Sequence, residues 1–345
     1  KLTLWTAAEV EDHLSGPAEI LRGTYFGELV LTPTTLVDLH SAAVAPIKGR
    51  WLPEVHQVVD AERELHRALG VSAAWSDMSE LAARLDSGAK AVGAATKKLS
   101  ARLAAGADKV IQSAIALRDS LVQTEAALRC GDFELLQQEL ATSFHPVKEW
   151  DVFSRKLRAA RHVLALHATN LLSDMYSAIN TLKLLAHALT RRLLVIVADA
   201  GYGKTQLAAQ LTSESKARPA GVLLHGRDLH SRQNLDDLAR HRSVNGTPIP
   251  TFEALVAALD AAGQRANRRL PIVVDGLNEA EDPRDWKSAL ASVQAMLENY
   301  PRVLLICTLR PNFAGEALPP DADRLELKGF RDDLYEATKR YFKYY

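Results

Sequence analysis

An α/β fold, with a parallel sheet carrying helices on both faces, is predicted for the C-terminal part of this 345-residue chain, and an α-helical bundle ahead of it. Two patterns predict this. From about residue 190 short apolar runs alternate with helical segments, which is the order that builds parallel sheets. They read strand 193–198, helix 203–213, strand 221–225, helix 251–263, strand 271–275, helix 285–298, strand 302–307, strand 324–327 and helix 331–343. Residues 71–190 instead hold very few glycines or prolines and are rich in Ala, Leu, Lys, Arg and Glu. Leu81 to Leu85, Leu103 to Leu128, Asp132 to Leu140 and Val152 to Leu166 place apolar residues at i, i+3, i+4 and i+7, the stripe of packed helices. Leu171 to Leu189 is an amphipathic helix leading into the first strand. The organisation is then a mixed segment over 1–70, a helical bundle over 71–190 and the α/β region over 191–345.

The first strand, Leu193 to Val197, runs into Ala198-Asp199-Ala200-Gly201-Tyr202-Gly203-Lys204-Thr205. A strand that turns through glycines into a helix is the setting of a phosphate-binding P-loop. Gly201 and Gly203 let backbone N–H groups turn inward, Lys204 reaches the β- and γ-phosphates, and Thr205 ligates Mg²⁺. Ala200 and Gln206 complete the candidate nucleotide-binding set. Ala198 stands where the motif's first glycine belongs, the least intrusive replacement.

A second apolar run, Leu270 to Val274, ends in Asp275, 71 residues after Lys204. A carboxylate there sits at the carboxyl end of a buried parallel strand, placed to hold Mg²⁺ as a Walker B acid. Glu279 follows one turn later, the candidate to orient and deprotonate an attacking water. The third run, Val303 to Cys307, continues as Thr308-Leu309-Arg310-Pro311. Arg310 has two readings, a γ-phosphate sensor of the ASCE type and a surface arginine before a proline turn.

Composition narrows the class. Lys and Arg number 42 against 42 Asp and Glu, so no global field attracts nucleic acid or membrane. Cys130 and Cys307 give no disulfide framework, which fits a reducing cytoplasm, and no apolar run approaches a membrane span of ~18 residues. Asp323, Glu326 and Lys328 spell a nuclease-like pattern, but the two acids are too close to come from separate strands; an edge strand with outward charges explains them. His225 and His230 lack zinc-ligand spacing. Asn245-Gly246-Thr247 matches a glycosylation sequon and is more simply a turn.

Taken together, ADAGYGKT, PIVVDGLNEA and LLICTLRP resemble the NACHT branch of the STAND NTPases. Trp5, Tyr25-Phe26, Arg50 to Val55, Trp286, Gly329-Phe330, Tyr335 to Ala337 and Tyr341-Phe342 are similar to segments of bacterial antiviral STAND (Avs) proteins. The resemblance spans about 1–70 and 180–345. It implies a cytoplasmic ATP-Mg²⁺ switch between an N-terminal effector and a C-terminal array that senses a phage protein. On triggering, such proteins form a homo-oligomer, a tetramer in this reading, and touch nucleic acid only through a nuclease effector. Effector, sensor and the winged-helix segment are expected outside this sequence, which starts at Lys1 and stops in mid-pattern at Tyr345. Asn278 stands where many NACHT proteins carry an acid, so slow hydrolysis is expected. A nucleic-acid-directed P-loop ATPase, for which basic patches with interleaved aromatics were not found, and a scaffold that binds nucleotide without turnover are the alternatives.

Overall fold

The computed structural model describes residues 29–96, 101–142, 150, 152–153, 155, 164–216, 218–329 and 334–344. Trp5, Tyr25, Phe26 and Phe330 lie outside them, as does much of the expected helix between Val152 and Leu166. The chain divides into two compact units, one from residues up to 63 together with those from 192 onward, the other from 64 to 191. The described part of the segment read as 1–70 therefore contributes mostly to the α/β unit.

That unit is built on a five-stranded parallel sheet flanked by helices. Its strands are β1 (Leu193–Val197), β2 (Val222–His225), β5 (Leu270–Asp275), β6 (Val303–Leu309) and β7 (Arg324–Glu326), in the order β2-β5-β6-β1-β7. Every residue of β5 and β6 is buried, and β1 is buried except for its last residue, which explains continuous apolar runs rather than alternation. β7 is short and sits at the edge with Arg324 and Glu326 exposed, so the nuclease-like pattern is an edge-strand surface. β3 (Ser243–Val244) and β4 (Thr247–Pro248) form a separate hairpin, turned by Asn245 at φ 52° and Gly246 at φ 81°. Two successive positive φ values are what a tight two-residue hairpin requires, so this sequon is a turn.

Chain direction sets where the connections of the sheet diverge. From β1 the chain crosses to β2 at one edge; from β6 it crosses β1 to reach β7 at the other. Neighbouring strands whose connections leave in opposite directions mark a topological switch point, and here it falls between β1 and β6.

The helices of this unit are α1 (Pro33–Val44), α7 (Lys204–Thr212), α8 (Leu235–Arg240), α9 (Phe252–Arg265), α10 (Asp285–Leu297), α11 (Ala314–Ala317) and α12 (Leu334–Tyr344). α1 was not foreseen, although Thr32 and Thr35 form a reciprocal capping box ahead of Pro33, a legible start signal. It packs on β2 and sends Leu36 and Leu39 into the sheet's core. α2 (Asp60–Ala68) spans the boundary between the units. The helical unit contains α3 (Asp77–Thr96), α4 (Ala101–Cys130), α5 (Phe133–Thr142) and α6 (Leu164–Thr190), around a core that includes Leu85, Leu121, Leu171 and Met175. No helix among the described residues is long and apolar enough to cross a membrane.

His40 is 6% exposed on α1, its Nδ1 3.2 Å from the Thr212 hydroxyl and its ring edge-on to Trp51. Burial, reinforced by the charge of buried Arg218, lowers its pKa to about 4. A depressed folded-state value means that stability is fully present above pH 6.5 and is lost as pH falls toward 4. The loss amounts to roughly 3 kcal/mol. Urea unfolding at pH 7.5, 5.5 and 4.5 checks this. A His40→Gln protein, which keeps a donor for Thr212 but does not titrate, should show a flatter profile; identical profiles would refute the assignment.

Candidate functional site

The loop after β1 has the backbone its glycines imply. Gly201 and Gly203 sit at φ 83° and 84°, in the left-handed region, and a Cβ at either would meet nothing within 4 Å. Glycine is there for its dihedral freedom, and the space in front is open. Gly203 caps α7 without any side-chain hydrogen bond. Ala198 is buried, donates its N–H to Leu309 O at 3.1 Å and has no positive φ. It extends the β1–β6 ladder, so alanine brings no backbone strain to the motif's first position. Asp199, Ala200 and Tyr202 are exposed, and Thr205 is half-buried one residue inside α7.

Lys204 turns back over the loop, its Nζ donating to Ala198 O at 2.6 Å and Asp199 O at 2.7 Å. Burial lowers its pKa, the charge of Arg310 lowers it further, and Asp275, Asp199 and Glu279 oppose both. Those influences place Lys204, Arg310, Asp275 and Glu279 in one electrostatic neighbourhood, although the sequence separates them by up to 106 residues.

Asp275 ends β5, 7% exposed. Its Oδ1 accepts the Thr308 hydroxyl at 2.7 Å, and the same hydroxyl accepts Gly276 N–H at 2.8 Å. Thr308 is fully buried in β6, so both functions of its oxygen are used in fixing the Asp275 carboxylate and the turn behind it. The sequence signal for Thr308 was a lone hydroxyl near the end of an apolar strand. Asn278 Oδ1 accepts Arg310 N–H at 3.0 Å and ties the loop after β5 to the loop after β6. Glu279 is exposed at the end of a short 3₁₀ turn, Leu277–Glu279. Arg310 is exposed at the end of β6. A Cβ on Gly226, which follows β2, would lie 2.2 Å from Gly276 O, so the two strand-end loops approach as closely as backbone allows.

The sequence-derived residues thus gather at the carboxyl ends of β1, β5 and β6. Gln206 is otherwise engaged: its carboxamide pairs with the main chain of Leu52. Among the described residues no group of three or more His, Cys, Asp or Glu is arranged to hold a metal, and His225 is bound through Nε2 to Ala43 O at 2.8 Å. One patch escaped the sequence reading. On α12 Lys339, Arg340 and Lys343 alternate with exposed Tyr341, Phe342 and Tyr344, and Arg340 donates to His56 O at 2.9 Å.

Thr308→Val removes the hydroxyl and leaves Gly276 N–H and one Asp275 lone pair without it. The expected loss is about 1–3 kcal/mol of unfolding free energy, read from denaturant midpoints. An unchanged midpoint would show that the hydroxyl does not brace Asp275.

Comparison with protein-family models, curated proteins and solved structures found no match for this chain.

Proposed function

We propose that the α/β unit is a P-loop NTPase of the ASCE type that binds ATP with Mg²⁺. The observation that carries this is positional. The glycine loop with Lys204 lies at the carboxyl end of β1, at the switch point between β1 and β6, with Asp275, Glu279 and Arg310 in the same electrostatic neighbourhood. The strand β6, inserted between β1 and β5, supplies the sensor position.

The residues fit the ligand. Gly201 and Gly203 leave an open cradle whose backbone N–H groups favour phosphate oxygens at the start of α7. Lys204 supplies the charge for the terminal phosphates. Thr205 and Asp275 are the two protein oxygens for Mg²⁺, a small number that suits a cation shared with phosphates and waters. When bound, Mg²⁺ neutralises charge on the β- and γ-phosphates. Asp275 is held for that role by Thr308, Glu279 is exposed and placed to accept a proton from water, and Arg310 carries a positive charge at the carboxyl end of β6 within electrostatic reach of Lys204.

The wider role proposed rests on the resemblance to antiviral STAND proteins: nucleotide and a phage-protein trigger together shift the full-length protein from monomer to closed homo-oligomer, a tetramer, which activates an effector. A nucleotide module without a mechanical substrate must act through protein contacts, and closed symmetry is the common form of such assemblies. Two measurements test the reading in turn. Titration with ATP should saturate and should weaken when Mg²⁺ is chelated; absence of saturable binding overturns the NTPase assignment. Light scattering on full-length protein should show particle mass rising only with trigger and ATP-Mg²⁺. A constant mass overturns the switch and leaves a nucleotide-binding enzyme or scaffold.

A further inference from the structure

The strip of chain from Trp51 to Val59 has an unusual hold on the molecule. No residue in it is buried, in contrast to Leu31, Leu36, Leu39, Ala43 and Ile47 just before it. Hydrogen bonds fasten it instead: those at its start run to α7, and His56 O accepts from Arg340 of α12 at 2.9 Å. Gln206 Oε1 accepts Leu52 N–H at 2.8 Å and Gln206 Nε2 donates to Leu52 O at 3.3 Å, so one carboxamide pairs with both main-chain groups of a residue 154 positions away. One turn on, Gln210 Oε1 accepts the Trp51 indole N–H at 3.4 Å. At the strip's far end His56 Nε2 lies 2.8 Å from Glu62 Oε2. Glu62 is 2% exposed and within electrostatic reach of Arg218, which donates to carbonyls at the end of α7.

We infer that Gln206 is a positioning residue: it contacts no nucleotide, and instead clasps the 51–59 strip to the first turn of α7, so that phosphate binding and strip fastening reinforce each other. The inference rests on the nucleotide reading for its ligand and on the hydrogen bonds above for its mechanics. Gln206 directly follows Thr205 in that first turn. The loop of Gly201 and Gly203 just ahead of it is exposed and carries no side-chain cap. A ligand held by the backbone N–H groups of that loop restricts the turn, and a restricted Gln206 gives up less freedom in pairing with Leu52. No residue of the strip is fully buried, so its attachment leans on these bonds and responds to such a change. Coupling is reciprocal: whatever factor nucleotide adds to strip fastening, the fastened strip adds to nucleotide affinity.

Hydrogen exchange on the full protein, with and without ATP-Mg²⁺, tests this for the parent, Gln206→Ala and Gln206→Met. In the parent, ATP-Mg²⁺ should slow exchange both at 199–205 and at 52–59. In both variants exchange at 52–59 should be fast from the outset and indifferent to nucleotide, while 199–205 still responds. ATP affinity should fall about 5-fold or more, the lower end of typical coupling. Methionine keeps the volume of glutamine without its hydrogen bonds, so a Met variant that behaves as the parent would overturn the clasp. So would parental exchange at 52–59 in the Ala variant, or a parent strip that ignores nucleotide while 199–205 responds. If 199–205 is indifferent in every protein, the nucleotide reading fails and the coupling with it; the comparison without nucleotide then still decides whether Gln206 holds the strip.

Discussion

Replacing Lys204 by alanine lowers ATP affinity by at least tenfold and leaves the fold intact. The ammonium group donates only to two carbonyls of its own loop, Ala198 O and Asp199 O, so its loss removes no contact between core elements. Substitutions of this kind away from a core usually change stability by about 0.5 kcal/mol or less. On the binding side the ammonium group is asked to meet phosphate charge. A hydrogen bond to a charged group contributes ~1.5–3 kcal/mol, and ~1.4 kcal/mol is tenfold in affinity, which sets the range at about 10- to 100-fold. Partial burial adds direction, because it lowers the Lys204 pKa and an incoming anion opposes that shift. A binding titration alongside a thermal melt gives the answer. Parental affinity in a folded Lys204→Ala protein removes the P-loop assignment and everything built on it.

Glu279→Gln separates turnover from binding. The side chain is exposed and lies over Gly276, where a Cβ would come within 3.0 Å of the Glu279 Cδ, so an isosteric amide keeps its place. What the amide lacks is the ability to take a proton from water. General bases contribute roughly 10²–10⁴-fold, and hydrolysis should fall by about 10²-fold or more while ATP-Mg²⁺ affinity stays at the parental value. Asp275→Ala should behave differently, weakening Mg²⁺-dependent binding itself, because this carboxylate is buried and held by Thr308 rather than poised toward solvent. Phosphate release and equilibrium binding on the two variants distinguish these roles. Parental turnover by Glu279→Gln would show that Glu279 is not the base.

The sequence by itself determined the main strands of the α/β unit and most of the longer helices between them. Fully buried parallel strands write themselves as unbroken apolar runs, and β1, β5 and β6 were legible for that reason. The left-handed turn at Gly201 and Gly203 between β1 and α7 was legible from its glycines, and Asp275 from its place at the end of an apolar run. α1 and α8 were passed over, although Thr32-Pro33 and Asn234 with Asp237 are capping signals, because short helices carry little periodicity.

Only the tertiary structure decided the strand order, and with it which loops meet. That Thr308 serves Asp275, that Asn278 serves Arg310 N–H, and that Gln206 serves Leu52 depends on contacts spanning 32 to 154 residues. Sequence pattern reports a residue's own backbone and burial. It does not report which hydrogen-bond partner the fold brings, and for the glutamine after Thr205 that partner is the main chain of Leu52.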